Sequence, residues 1–280
     1  MAQPPRIFDR DLVAAHLARR PADRDDFVLK LVVDDLAERL AAVSRTFRQA
    51  LILAPDAREV PAHGASANGT FTFERLSTLG GELDAEALTL PRTGYDLIVS
   101  LFDLQIVDDV PGFLSRIRAH LAADGLFLAA ALGGDSLTEL RRAFLTADSE
   151  RSSGAYARVA PFIPLSDVGG LLQRVGFALP VSDVEVHTIR YASPLSLMRE
   201  LKALGASNPL ADRPAQMMTA SRLAAASAAY EAMATDPDGR IRATLEIVWM
   251  SGWAPHESQQ KPLKPGSAEV SLTQVLGRKG

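Results

Sequence analysis

Cysteine is absent from this chain of 280 residues. Its absence excludes disulfide bonds, thiolate metal sites and cysteine nucleophiles, and it agrees with a reducing compartment. The chain also lacks a run of about eighteen apolar residues, which a membrane-spanning helix would need, and its first residues lack the apolar core of a signal peptide. We therefore expect a cytoplasmic protein without a transmembrane segment, and docking on a membrane-bound partner stays open.

A basic surface is missing as well. The 30 lysine and arginine residues are outnumbered by 34 aspartate and glutamate residues, which gives a net charge of -4. Nucleic-acid binding usually rests on a basic stripe of phosphate contacts, so we expect no nucleic-acid partner. The five histidines show no H-E-x-x-H or other metal-ligand spacing, so we predict no metal site.

The chain does contain short apolar runs that alternate with helical patterns. Four runs have the length and composition of buried strands; they cover residues 50–53, 70–73, 95–101 and 126–131. A helical pattern over residues 110–121 separates the last two and ends at the turn Asp124-Gly125. A strand–helix–strand order of this kind predicts an α/β protein with a mostly parallel sheet.

The patterns divide the chain into four segments. They are an N-terminal helical segment (1–45), a Rossmann-like core (46–135), a mainly helical insertion with one core strand (136–240), and a C-terminal edge strand with a tail (241–280). A strand over residues 181–191 should pair antiparallel with one over residues 244–250. Ser136 and Glu139 have the spacing of a capping box, which predicts that a helix starts there.

Five strings along the chain resemble one known family. They are FDRDL (8–12), YDLIVS (95–100), GGDSLTELR (133–141), PFIPLSDVGGLLQRVGF (161–177) and GWAPHESQQKP (252–262). Together they are similar to the mitochondrial complex I assembly factor 5 family and its alphaproteobacterial relatives, which are related to malonyl-carrier-protein methyltransferases. The resemblance implies a class I methyltransferase fold, S-adenosylmethionine as cofactor and a role in maturing respiratory NADH dehydrogenase. Some members are regarded as hydroxylating an arginine of an iron–sulfur subunit.

The cofactor loop of that family is altered in this chain. The family pattern D-L-G-C-G-x-G aligns with residues 52–58, where alanine, proline, aspartate and arginine replace the glycines and the cysteine. Ala54 adds a methyl group, Pro55 removes an N–H donor and Asp56 adds negative charge, and each change works against an anionic or carboxylate-bearing ligand. The acidic residue at the end of the second strand falls on Arg75, with Glu74 one position earlier. The stretch that is commonly S-L-x-L-H-W in the family corresponds to residues 101–106, without its histidine and tryptophan.

The resemblance assigns two sets of site residues and no catalytic residue. The set expected around the cofactor is Leu53, Ala54, Asp56, Glu74, Arg75, Leu101, Phe102 and Asp103. The set expected around a substrate or partner is Arg10, Gly134, Asp135, His256 and Glu257. If three cofactor contacts are lost at about 1–2 kcal/mol each, the affinity falls on the order of a hundredfold to several thousandfold.

Several of these residues have a structural alternative. His256 and Glu257 either line the substrate side of the sheet or belong to a loop pinned by hydrogen bonds. Arg10 either closes the pocket as part of a lid or forms a surface ion pair. The glycine pair before Asp135 either forms the turn or contacts substrate. Asp103 is a candidate for facing a cationic group, and Arg141 is expected on a solvated helix face.

The residues together predict a methyltransferase-like protein with an eroded cofactor loop. Its expected role is that of a non-methylating assembly or protein-binding factor for respiratory NADH dehydrogenase, with a respiratory-complex subunit as partner. It would be cytoplasmic and peripheral to the inner membrane through that partner. The alternative is an active methyltransferase or protein-arginine hydroxylase with an atypical cofactor site, and a third, weaker alternative is a regulator that binds another metabolite.

Overall fold

The structure, a computed structural model, describes residues 6–81, 83–151, 156–213 and 218–260. Its helices are α1 (Arg10–Ala18), α2 (Phe27–Ala41), α3 (Val110–His120), α4 (Thr138–Arg151), α5 (Leu165–Val175), α6 (Pro194–Ala203) and α7 (Ala220–Ala234). Its strands are β1 (Ala50–Ala54), β2 (His63–Ser66), β3 (Gly69–Ser77), β4 (Tyr95–Leu101), β5 (Leu121–Leu132), β6 (Ala178–Tyr191) and β7 (Ile241–Trp253). The tail predicted beyond residue 260 lies outside the described residues.

All seven strands form one sheet in the order β2-β3-β1-β4-β5-β7-β6. Strands β3, β1, β4 and β5 are parallel, and β7 pairs antiparallel with both β5 and β6. The predicted α/β class and the predicted antiparallel pair are therefore confirmed. The C-terminal strand β7 was predicted at the edge of the sheet, but it lies between β5 and β6. It is buried along most of its length, whereas β6 exposes alternate residues, as an edge strand can.

The connection from β1 to β3 contains no helix. Parallel neighbours normally need a crossover of a dozen or more residues, usually helical. Here residues 55–62 form turns, and the chain then runs through β2, which pairs antiparallel with the outer side of β3. The face of the sheet that a crossover helix would cover is covered by α2, whose Val32, Leu36 and Leu40 share a buried cluster with Ile52 and Trp249.

The opposite face of the sheet is covered by α3 and α5. Phe113 and Ile117 from α3 and Leu172 from α5 pack in one cluster with Phe127 of β5. Helix α5 ends at Gly176, whose φ of 91° is the left-handed conformation that glycine adopts without strain. The helix predicted to close at this glycine is confirmed.

The remaining helices lie beyond the carboxyl end of the parallel strands. Leu140 of α4, Leu197 of α6 and Tyr230 of α7 form a separate buried cluster with the start of β7. Ser136 and Glu139 do not form the predicted capping box. The Ser136 hydroxyl exchanges hydrogen bonds of 2.9 and 3.0 Å with the backbone of β7, and the Glu139 carboxylate accepts two from Thr244. Both side chains therefore fasten the insertion to the sheet.

Candidate functional site

A cavity of about 260 Å³ lies at the carboxyl ends of β1, β4 and β5. Open α/β sheets bind ligands at this edge. The sheet contributes Ala54 of β1, Leu101 and Phe102 at the end of β4, and Leu132 of β5. Helices α1, α2 and α6 contribute apolar side chains from the other sides, so the cavity is enclosed by parts of the chain that are distant in sequence.

Most of the lining was missed by sequence reasoning. Phe162, Ile189, Leu197, Leu201 and Leu245 come from the helical insertion and from the strands β6 and β7. The spacing of Leu197 and Leu201, four residues apart on α6, marks one face of a helix and was the available signal. What that face would contact depends on how the insertion folds back over the sheet, which the pattern alone does not specify.

The turn after β1 is held by ion pairs. Asp56 lies 2.8 Å from Arg20 and 2.8 Å from Arg58, and the side chains of Asp56 and Arg20 are only 10% and 7% exposed. Arg20 also lies 3.2 Å from Glu59, which contacts Arg24 in turn. The arginine partners, first of all the hydrogen-bonded Arg58, lower the pKa of Asp56. The carboxylate expected beside the cofactor is therefore already occupied by cations of the same chain.

The backbone of this turn is occupied as well. Pro55 has no N–H, the Ala57 N–H donates to the Ser77 hydroxyl at 3.0 Å, and the Arg58 N–H donates to Asp56 at 3.2 Å. A loop that binds an anionic group needs free N–H groups directed at it. These donors are used inside the protein.

Glu74 and Arg75 lie three and two residues before Ser77, the last residue of β3. Glu74 accepts a hydrogen bond of 2.9 Å from the Tyr95 hydroxyl, and Arg75 donates to the Val60 carbonyl at 3.3 Å. The strand ends at Ser77, which is in register with the end of β1. Neither Glu74 nor Arg75 lines the cavity. Leu53 is also apart from it, since its side chain belongs to the core on the α3 face.

Asp103 is completely buried beneath α1. Its carboxylate accepts hydrogen bonds from the hydroxyls of Thr78 and Ser100, the latter at 2.7 Å. Burial raises the pKa of Asp103 to about 6, although both hydrogen bonds and the positive charge of Arg10 oppose the rise. Asp103 does not line the cavity, so the structure separates it from Leu101 and Phe102.

Helix α1 closes the sheet edge beside Asp103. Arg10 donates to the carbonyls of Thr78 at 2.7 Å and Ile106 at 3.0 Å. Three residues further along α1, Val13 packs with Leu79 and Ile106 in a small buried cluster. Arg10 itself does not line the cavity, whereas Val13 and Leu17 of the same helix do.

Gly134 and Asp135 serve the turn after β5. The Gly134 N–H donates to the Ile163 carbonyl at 3.1 Å, and the pKa of the buried Glu246 carboxyl beside this turn is raised first by burial and then by the nearby Asp135. The residue that must be glycine here is Gly133, because a Cβ on it would lie 2.1 Å from Glu246. The predicted solvated position of Arg141 is wrong: it is partly buried and donates to two backbone carbonyls.

His256 and Glu257 lie at the end of the sheet away from the cavity, where the parallel strands begin. They follow β7, whose last residue Trp253 is in register with Leu126 near the beginning of the apolar run of β5. The substrate-side alternative is therefore wrong, because the carboxyl end of an antiparallel strand meets the amino ends of its neighbours. The His256 ring hydrogen-bonds Ser258 at 2.7 Å, as expected for a pinned loop.

The described residues contain neither a metal-binding group nor a membrane-spanning helix. Within residues 6–81, 83–151, 156–213 and 218–260, no three histidine or acidic side chains are grouped so that they could hold a metal ion. Over the same ranges, no helix is long and apolar enough to cross a membrane.

Comparison with known proteins identifies relatives over nearly the whole chain. No protein-family model matches it. The human mitochondrial arginine hydroxylase NDUFAF5 is 33% identical over 289 residues, which covers 96% of this chain and 83% of the relative, and its Danio rerio counterpart is 31% identical over 264 residues, 89% and 82%. A malonyl-[acyl-carrier protein] O-methyltransferase of Halorhodospira halophila is 35% identical over 196 residues, 70% of this chain and 64% of the relative.

Solved structures with a similar backbone path share less sequence identity with this chain. A methyltransferase-like protein of Bacillus halodurans shares 13% identity at a TM-score of 0.44, over 80% of this chain and 99% of that one. The YcgJ protein of Bacillus subtilis shares 12% identity at a TM-score of 0.45, over 83% and 100%.

Proposed function

Because this chain belongs to the NDUFAF5 family, we propose that it is a non-methylating, protein-binding assembly factor for respiratory NADH dehydrogenase. Membership confirms the resemblance that the five sequence strings predicted. The methyltransferase-like scaffold is retained in this proposal, but its ligand edge has been rebuilt. A respiratory-complex subunit is the proposed partner, and the protein reaches the inner membrane through it.

The turn after β1 carries the proposal. S-adenosylmethionine brings a carboxylate, an ammonium group and a sulfonium cation, and the glycine loop of the fold is where such a ligand approaches the backbone. In this chain Asp56 is paired with Arg20 and Arg58, the neighbouring N–H groups are used, and no helix follows. The residues present therefore do not fit the cofactor, and we derive no methyl-transfer step.

The filled space beside Asp103 supports the same proposal. The ribose of a nucleotide-type cofactor needs an acidic partner at the end of the strand next to β1. That end is Ser77 here, and its surroundings are closed by Arg10 and Val13 of α1. Binding in the usual pose would require α1 to leave the sheet and Arg10 to lose two hydrogen bonds.

Isothermal titration with S-adenosylmethionine tests the cofactor half of the proposal. We expect no measurable binding, whereas the Halorhodospira halophila methyltransferase, titrated in parallel, serves as the positive control. Micromolar affinity for S-adenosylmethionine would overturn the proposal.

Deletion of the gene in the organism of origin tests the partner half. We expect membranes of the deletion strain to lose NADH dehydrogenase activity and its assembled complex on native gels. Plasmid-borne wild-type protein should restore both. Unchanged assembly in the deletion strain would contradict the proposed partner.

Arginine hydroxylation is the second candidate, favoured by the activity for which the two animal relatives are named. It predicts that a subunit of NADH dehydrogenase gains the mass of one oxygen atom on an arginine when the protein is present. Peptide mass spectrometry of the individual NADH dehydrogenase subunits, affinity-captured from wild-type and deletion strains, separates the candidates. Under the leading proposal the arginine peptides are the same in both strains.

A further inference from the structure

The charges at one end of the cavity are compensated within the protein. Arg20 contacts Asp56 at 2.8 Å and Glu59 at 3.2 Å, and all three residues line the cavity. Asp26, which also lines it, accepts a backbone hydrogen bond at the start of α2. A buried charge that already has its partner gains little from a second one. This end of the lining therefore calls for no charged group on a ligand.

Three further polar side chains in the lining also have hydrogen-bond partners within the protein. Arg158 makes two hydrogen bonds, of 2.8 and 2.9 Å, to the buried carboxylate of Asp148. Asn208 donates to a backbone carbonyl at 3.0 Å, and Gln105 accepts from a backbone amide at 3.0 Å. The rest of the lining is dominated by leucine, isoleucine, valine and phenylalanine side chains. The chemistry of the cavity is therefore that of a neutral apolar site.

The size of the cavity indicates how large an occupant is. A cavity of about 150 Å³ lined by leucine, isoleucine and phenylalanine stays dry and binds benzene. In proportion, the cavity of about 260 Å³ holds about ten carbon atoms. It extends from Leu101 and Leu132 at the sheet edge to Leu197 and Leu201 on α6. A flexible aliphatic chain can contact all of these, whereas a single leucine or phenylalanine side chain of a partner leaves part of the space empty.

Backbone strain occurs at the sheet side of the cavity. Phe102 has a φ of 65°, a conformation that is unfavourable for a residue with a Cβ atom. Such strain is concentrated at ligand sites, where the surrounding structure maintains it. Here it turns the chain directly after β4 and places Phe102 in the lining.

We propose that this cavity binds a neutral aliphatic molecule of about ten carbon atoms, surrounded by the apolar lining. The proposal deepens the proposed function, on which it rests for the absence of S-adenosylmethionine from this edge. It names a ligand class that the rebuilt pocket accepts in place of a charged cofactor.

A series of primary alcohols from hexanol to undecanol, titrated into the full chain by calorimetry, tests the proposal. Affinity should rise about fourfold with each added methylene group, because each is transferred from water to an apolar lining. The rise should stop at about ten carbon atoms, where the cavity is full. A rise that continues through the whole series, or no saturable binding, overturns the proposal.

Head-group charge gives a second readout. Decanoate at pH 8 should bind at least about tenfold more weakly than 1-decanol, because its carboxylate finds no unpaired cation in the lining. Equal or tighter binding of decanoate would contradict the compensated lining.

Two matched substitutions locate the binding. Leu132→Trp fills the cavity and should lower the affinity for 1-decanol at least tenfold, whereas Leu145→Trp, on the exposed face of α4, should leave it unchanged. An unchanged affinity in Leu132→Trp overturns the proposal, and if that variant does not fold, the chain-length break in the wild type decides. S-adenosylmethionine binding would overturn the proposed function while the chain-length break persists, so the two failures are distinguishable.

Discussion

The pair formed by Arg20 and Asp56 allows the strongest test of how the site is built. Its side chains are 7% and 10% exposed, and the charged atoms lie 2.8 Å apart. Removing one member of a fully buried pair costs about 3–5 kcal/mol, because the other charge stays buried without compensation. Here each member keeps a second partner, Glu59 for Arg20 and Arg58 for Asp56, so the cost should be smaller.

We expect Asp56→Asn to lower the free energy of unfolding by about 2–3 kcal/mol and Arg20→Met by about 1–2 kcal/mol. In the double variant the losses should overlap, leaving a coupling energy of about 1–2 kcal/mol. For a chain of this size, Asp56→Asn should lower the melting temperature on the order of 4–12 °C. Urea unfolding followed by circular dichroism measures all four corners of the cycle.

The pH dependence follows from the lowered pKa of Asp56. Because the folded-state pKa lies below the ordinary value of 3.8, this stabilisation is present above pH 3.8 and is lost as pH falls through the folded-state value. The wild type and Asp56→Asn should therefore converge only in acid. The exposed pair Lys30–Asp25 is the control, and its double-mutant cycle should show no coupling. Strictly additive losses at Arg20 and Asp56 would refute the reasoning.

Three further predictions concern the supports of the site. Gly252→Ala should destabilise the fold by about 1–3 kcal/mol in urea titrations, because its Cβ would lie 2.8 Å from Phe177, whereas Gly169→Ala, with open space around it, should be neutral or stabilising. Asp148→Asn should lower the free energy of unfolding by about 3–5 kcal/mol, because Arg158 is then left without its charged partner. The double variant Asp148→Leu/Arg158→Met should recover most of this stability, and equal losses in both variants would contradict a charge effect. The pKa of Asp103 is raised from 3.8 to about 6 in the folded state, so ionisation of its carboxyl destabilises the folded protein increasingly from pH 4 to above 6. Over that range the free energy of unfolding of Asp103→Asn should rise by up to about 3 kcal/mol relative to the wild type.

The sheet was predictable because its strands are buried on both faces. Runs such as residues 95–101 are mostly apolar and buried, and this is typical of central parallel strands. The closure of α5 was predictable for a different reason, since Gly176 supplies the left-handed residue that ends a helix. Both features depend on local chemistry that is visible within a few residues.

The missing helix after β1 was not visible in the same way. Residues 55–62 carry turn residues, but turn residues alone do not show that a crossover is absent. Strand β2, with the sequence HGAS, is too short and too polar to predict. The pairing of Arg20 with Asp56 spans 36 positions and depends on α1 folding over the sheet edge.

The position of His256 could have been predicted. The antiparallel pairing of the last strand was expected from its sequence, and the end of such a strand lies away from the ligand edge. Applying that rule to residues 244–250 would have removed His256 and Glu257 from the substrate side. The string at residues 252–262 is unusual in composition, but it follows a strand whose direction carries it away from the end of the sheet where ligands bind.

The changes at the ligand edge depend on one another. A carboxylate at Asp56 would be costly beside an apolar cavity without the cation that Arg20 provides. Arg20 reaches it only because α1 lies across the sheet edge, where Arg10 binds the carbonyls of Thr78 and Ile106. That position of α1 fills the space beside Asp103, and the neighbouring cavity keeps only apolar walls and compensated charges. Asp56, which stands where the family pattern has a glycine, is thus part of the same set of contacts that holds α1 across this end of the sheet.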